Sequence, residues 1–125
     1  MAAPAPRRLT LPRDARLRRP ADFARVRRQG RRVVRGGFIL NWLARPPGAR
    51  PRVGVVTPRA VGSAVVRSRA RRLLREVFRR HQHELAGPVD LVLVARQALT
   101  RQDWSAVERE FLAVAAAADL IKPAA

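Results

Sequence analysis

Cysteine and tyrosine are absent from this chain, and only 9 carboxylates stand among its 125 residues. Without cysteine there can be no disulfide, no thiolate metal site and no thiol nucleophile, a composition compatible with a reducing cytosol. No apolar run approaches the roughly 18 residues that a membrane-spanning helix needs. Met1 to Arg19 alternates proline, alanine and arginine where a signal peptide would carry an apolar stretch. The expectation is a soluble, cytoplasmic protein with no membrane partner. The carboxylates are scattered, with Asp103, Glu108 and Glu110 in the last segment. There is no paired acid–base motif, no glycine-rich phosphate loop and no nucleophile elbow. His81 and His83 stand at i and i+2 near a helix end and face different directions, so they read as exposed helix-end residues rather than metal ligands. Nothing in the chain can activate water unaided, and no cofactor is expected on the protein itself.

What is present in excess is positive charge. With 27 basic residues the net charge is +18, enough to attract a phosphate backbone or an anionic lipid surface. All but one of the basic residues are arginine. Guanidinium suits phosphate and base recognition, but arginine codons are also GC-rich, so only the charge itself is taken as functional evidence.

The charge is concentrated between Arg67 and Arg80, where seven arginines accompany one glutamate in fourteen residues. Wound at 3.6 residues per turn, Val66, Ala70, Leu73, Leu74 and Val77 form one face, and Arg71, Arg72, Arg75 and Arg79 spread over the other. Arg67 and Arg69 flank the apolar stripe about 160° apart. Like charges four residues apart repel by roughly 0.2–0.5 kcal/mol per pair. Arg67/Arg71, Arg71/Arg75 and Arg75/Arg79 are such pairs, and only Arg72/Glu76 offsets them. A helix of this kind is a docking surface for a polyanion. A membrane surface is disfavoured because the narrow aliphatic stripe is needed for a small core.

Residues 1–10 read as a disordered Ala/Pro/Arg-rich tail, 11–121 as a single domain and 122–125 as a short tail. Within the domain, a short helix runs from Pro20 to Gly30 with Phe23 and Val26 on one face. Strands follow at 31–35, 37–44 and 52–57, the second placing Phe38, Leu40 and Trp42 opposite Ile39, Asn41 and Leu43. The arginine helix extends to about Glu84, Gly87-Pro88 breaks the chain, and Val89 to Ala95 is a buried strand. A last helix covers 105–120 with Val107, Phe111, Val114 and Ala118 inward. The order α-β-β-β-α-β-α defines an α/β fold of the α+β sandwich type.

The run V-G-S-A-V-V-R-S-R-A-R-R-L-L-R-E, Val61 to Glu76, resembles the signature of the protein subunit of bacterial ribonuclease P, whose usual form is V-G-N-A-V-x-R-N-R-x-K-R-x-x-R-E. Leu17 to Phe23, Gly30-Arg31-Arg32 and Asp90 to Arg96 match further motifs of that family, so the resemblance spans about Leu17 to Leu112. It implies a sandwich like ribosomal protein S5 domain 2 with a left-handed β-α-β crossover, against the usual hand. It further implies a partner for a ribozyme: a 1:1 complex with ribonuclease P RNA that removes the 5′ leader of precursor tRNA. Catalysis and Mg2+ would belong to the RNA, leaving the protein alone inactive and without catalytic residues. The implied RNA-binding motif is Arg67, Ser68, Arg69, Arg71, Arg72, Arg75 and Arg79. The implied leader cleft is Phe23, Arg27, Asn41, Arg59 and Arg67. Ser63 and Ser68 replace the family's asparagines, and Arg27 and Asn41 stand where it has aromatic rings, so leader grip would lean on charge more than on stacking. The rival reading is a structural rRNA-binding protein with no enzyme attached.

Overall fold

In a computed structural model of the chain, residues 11–121 are described; the tails at 1–10 and 122–125 lie outside them. Three α-helices, α1 (Pro20–Gln29), α2 (Ala64–His81) and α3 (Trp104–Ala117), accompany four strands, β1 (Arg31–Arg35), β2 (Phe38–Ala44), β3 (Arg52–Val56) and β4 (Val89–Ala95). Short 3-10 turns at Arg13–Ala15, Arg59–Val61, Gln82–Glu84 and Gln97–Arg101 join them. These turns are too short to leave a periodic signal, and sequence reading missed all four.

The strands form one sheet in the order β1-β2-β4-β3. β1 and β4 run antiparallel to β2, while β3 runs parallel to β4 and reaches it through α2. β4 is apolar almost throughout because it is central and covered on both faces. One face carries Phe38, Leu40, Val53, Leu91, Leu93 and Ala95 into the main core with α2 and α3. The other carries Val92 into a smaller cluster with Leu17 and Val26, and Phe23, Leu43, Val56 and Val94 pack around it. α1 therefore covers one side of the sheet and the pair α2 and α3 the other.

The buried stripe of α2 is Ala70, Leu74, Val77 and Phe78. Phe78 was not anticipated; it extends the stripe because α2 touches α3 as well as the sheet, while Val66 and Leu73 are only partly buried. α3 starts at Asp103, whose carboxylate accepts from the Ala106 N–H at 2.9 Å. It ends three residues before the expected Leu120. Asp119 adopts φ 59°, letting its N–H bond the Ala116 carbonyl and the Leu120 N–H the Ala115 carbonyl. That is the closure in which glycine is usual, so its missing glycine explains why the stop was invisible.

Candidate nucleic-acid interface

The start of α2 depends on two motif residues. Gly62 has φ 151°, and a β carbon there would lie 3.0 Å from Val66 Cγ1, so glycine is required both by the backbone and by the close approach of the helix. Ser63 is the N-cap, its hydroxyl accepting from the Val66 N–H at 3.3 Å. Serine and asparagine cap helices about equally well, which makes this departure from the family pattern structurally conservative. Beyond the cap, Ser68, Arg69, Arg72 and Arg75 are exposed, and Val65 is 81% exposed beside them. An apolar side chain this open, lining one recess with Ser68, Arg69 and Arg72, is suited to packing against sugar or base.

The arginines divide by their partners. Arg69 donates to the Gln102 carbonyl at 2.8 Å and Arg71 to Thr57 Oγ1 at 2.9 Å, so both are held in fixed directions with their charge uncompensated. Arg67 is half-buried, and its Nε is buried without a hydrogen-bond partner. Glu76 does not pair with Arg72 as the sequence suggested. It binds Arg79 and Arg80, each through Nε at 2.9 Å, and the Arg79 bond leads in holding its carboxyl down to about 2. Arg79 is thus tied to an acid that it shares with Arg80. Arg75 shows the opposite condition: burial first, then the positive charges of Arg16 and Arg71, lower its pKa. Arg16, Arg71, Arg72, Arg75 and Arg79 line a groove of about 350 Å³ against Leu11, with Glu76 the one acid in it. Like charges gathered this closely favour a bound anion.

On the α1 side, Phe23 is half-buried and lies so close over β3 that a β carbon on Gly54 would sit 2.4 Å from its ring. Arg27, one helical turn on, is exposed, as is Arg59 in the turn after β3. Asn41 stands apart from them: only 8% exposed, it reaches the Val92 carbonyl at 3.5 Å and is part of the sheet's packing rather than of an open surface. The row that stays open is aliphatic. Val34, Ile39, Val94 and Val56 are direct cross-strand neighbours on all four strands, none is buried, and Val34 is 49% exposed. Sequence reading missed this row because its members come from four separate segments and only the register aligns them.

α1 is fixed in place by a buried acid. Asp90, 1% exposed, takes both oxygens to Arg52 at 2.8 Å and faces Arg45 at 3.5 Å and Arg25 at 3.7 Å. Arg25 also binds Asp22 at 3.0 Å. Asp22 and Asp90, aligned separately with two family motifs, therefore belong to one network joining α1 to β3 and β4.

The histidines separate. His83 is exposed, but His81 is not a solvated helix end. Its Nδ1 meets Glu84, its Nε2 meets Glu108 of α3 at 2.8 Å, and its side chain is 15% exposed. Burial lowers its pKa, and the two carboxylates outweigh burial and raise it. Among the described residues no group of three His, Cys, Asp or Glu could hold a metal ion, and no helix is long and apolar enough to cross a membrane.

Residues 11–119 match the family described as Ribonuclease P. A ribonuclease P protein component from Desulfovibrio desulfuricans is 45% identical over 92 residues, covering 73% of this chain and 71% of the relative. The ribonuclease P protein from Thermotoga maritima superposes with a TM-score of 0.69 at 29% identity, covering 79% of this chain and 93% of that one. The Staphylococcus aureus protein shares the fold, with a TM-score of 0.78 at 23% identity over 86% of this chain and 98% of that one.

Proposed function

Since the chain belongs to the bacterial ribonuclease P protein family, we propose that it works as the binding subunit of a cytoplasmic ribonucleoprotein, one protein per RNA, in which the RNA removes the 5′ leader of precursor tRNA. The outer surface of α2 docks on the RNA subunit, and the α1 side of the sheet receives the single-stranded leader. The RNA subunit would hold the magnesium that activates water.

The observation that carries this reading is the division of charge on α2. Arg67, Arg69, Arg71, Arg72 and Arg75 keep uncompensated charge, two of them braced by neutral partners, while Arg79 and Arg80 share the single negative charge of Glu76. Bracing a cation without neutralising it lowers the ordering cost of binding a phosphate and preserves the attraction.

For the leader, Phe23 is the aromatic surface, the row Val34–Ile39–Val94–Val56 offers a flat apolar floor, and Arg27, Arg59 and Arg67 supply charge. Stacking on one ring is worth about 1–3 kcal/mol and tolerates any base, which fits a subunit that must accept many leaders. The test is binding of precursor against mature tRNA to the assembled ribonucleoprotein, wild type against Phe23→Ala. A selective loss of precursor affinity supports the cleft. Equal loss for both tRNAs, in protein shown to be folded, assigns Phe23 a structural role only.

A further inference from the structure

The edge of the sheet farthest from α2 carries a second basic recess that neither the arginine helix nor the α1 side explains. A cavity of about 520 Å³ opens between β1 and the last turn of α3, lined by Arg31, Val33, Arg35, Trp42, Val114 and Asp119 among others. Alternation along β1 directs Arg31, Val33 and Arg35 to the face opposite Phe23. Arg31 is the direct cross-strand neighbour of Trp42, a pairing that brings β carbons to about 5 Å. Arg31 and Arg35 are exposed, and Val33 and Trp42 are half-buried.

Three structural explanations fall short. Arg31 and Arg35 are not there to cap α3, because the carbonyls of Val114, Ala115 and Ala116 are already taken by the N–H groups of Ala118, Leu120 and Asp119. They are not balancing an acid either. Asp119 lines the same cavity, yet no ion pair joins it to them among the described residues. Protecting an edge strand from pairing needs a charge, but it does not need a half-open tryptophan beside Arg31.

We infer that this recess is a second RNA site, in which one unpaired base of a single-stranded segment stacks on Trp42 while phosphates of the same segment meet Arg31 beside it and Arg35 further along β1. The inference rests on the RNA-binding reading above. Charge complementarity selects an anion, and the ring with its aliphatic floor of Val33 and Val114 selects an anion that carries a flat apolar group, so a nucleotide fits where a simple polyphosphate does not. The Asp119 carboxylate disfavours a bare phosphate cluster and could accept from a base amino group. Arg31 lies directly across from Trp42, and Arg35 lies four residues on, roughly 13 Å further along β1, so the two can meet separate phosphates of a segment that runs from the stacked base along the strand.

The test uses the full chain carrying Trp104→Phe, which leaves Trp42 as its single tryptophan, titrated with a short oligoadenylate and, separately, with inorganic polyphosphate of equal charge. The inference expects oligoadenylate to quench Trp42, polyphosphate to leave it unquenched, and Arg31→Ala/Arg35→Ala to weaken the quenching titration about 10-fold or more, with Arg101→Ala as an unaffected control. Crosslinking of a 4-thiouridine oligonucleotide to Arg31, Val33, Arg35 or Trp42 of the unsubstituted protein, rather than to Val34 or Ile39 on the other face, gives the same answer if Trp104→Phe does not fold. Absent quenching and crosslinking, equal quenching by polyphosphate, or indifference to the double substitution would overturn it. An independent arm measures binding of the ribonuclease P RNA subunit to Arg67→Ala/Arg69→Ala protein. If that binding falls while Trp42 stays silent, this site alone is wrong; if neither responds, the functional reading fails with it.

Discussion

Replacing Gly54 by alanine should displace Phe23. The new β carbon would lie 2.4 Å from Cε1 and 2.6 Å from Cζ of the ring, with Leu17 Cβ at 3.1 Å on another side. Carbon atoms rest about 3.5–4.0 Å apart, so the ring must retreat by more than about 1 Å. The helix beneath it cannot simply follow, because its Arg25 faces the buried Asp90 of β4 at 3.7 Å and its Asp22 faces Arg52 of β3 at 4.0 Å. Overpacking of this kind costs typically about 1–3 kcal/mol. For a domain of this size each kcal/mol moves the melting temperature by roughly 3–6 °C. Phe23→Ala alone should cost about 2–3 kcal/mol, somewhat less than a fully buried phenylalanine. In the double variant the methyl occupies space the ring has left, so the Gly54 penalty should largely vanish, giving a coupling of about 1–3 kcal/mol. Urea unfolding of the four proteins measures it. Additive losses would refute the ring-on-glycine contact, and a Gly54→Ala protein as stable as wild type would refute the overpacking.

Three other outcomes are expected. With Arg79 and Arg80 both held on Glu76, about five arginines bear no acidic partner and can meet phosphate, so log K against log salt for the RNA subunit should slope by roughly −3.5 to −4.5 at 0.7–0.9 per phosphate; a slope near zero would mean that charge does not drive assembly. Arg67→Ala and Arg69→Ala should each reduce RNA-subunit binding or precursor cleavage far more than Arg101→Ala, and equal small effects would indicate a diffuse surface. The raised pKa of His81 means the charged form stabilises the native state. That contribution is complete below the unfolded value near 6.5 and is lost as pH rises through the folded value. Urea unfolding between pH 6 and 9 should therefore show a decline that His81→Gln abolishes, and identical pH profiles would remove His81 as its source.

The arginine helix and its signature were legible because charge, period and spacing lie within one continuous segment. The element order followed from period alone: Phe38, Leu40 and Trp42 alternate cleanly, and β4 is too short and too apolar for anything but a covered strand. What stayed hidden required partners distant in sequence. Glu108 approaches His81 only when α3 packs on α2, and Asp90 collects Arg25, Arg45 and Arg52 from three other segments. The burial of Asn41 and the open row from Val34 to Val56 depend on the register of the sheet and on where α1 lies. Gly54 reads as an ordinary strand weakness until Phe23 is placed over it. The choice of Arg79 over Arg72 by Glu76 was a matter of side-chain reach that helical spacing leaves open.

The most direct measurement is cleavage of precursor tRNA by ribonuclease P RNA at a magnesium concentration too low for the RNA alone, with and without the purified protein, beside a sample of protein without RNA. The protein should restore cleavage at the 5′ end of the mature sequence when the RNA is present and produce none without it. Cleavage by protein freed of RNA, or an RNA reaction the protein leaves unchanged, would contradict its assignment as the binding subunit of a ribozyme.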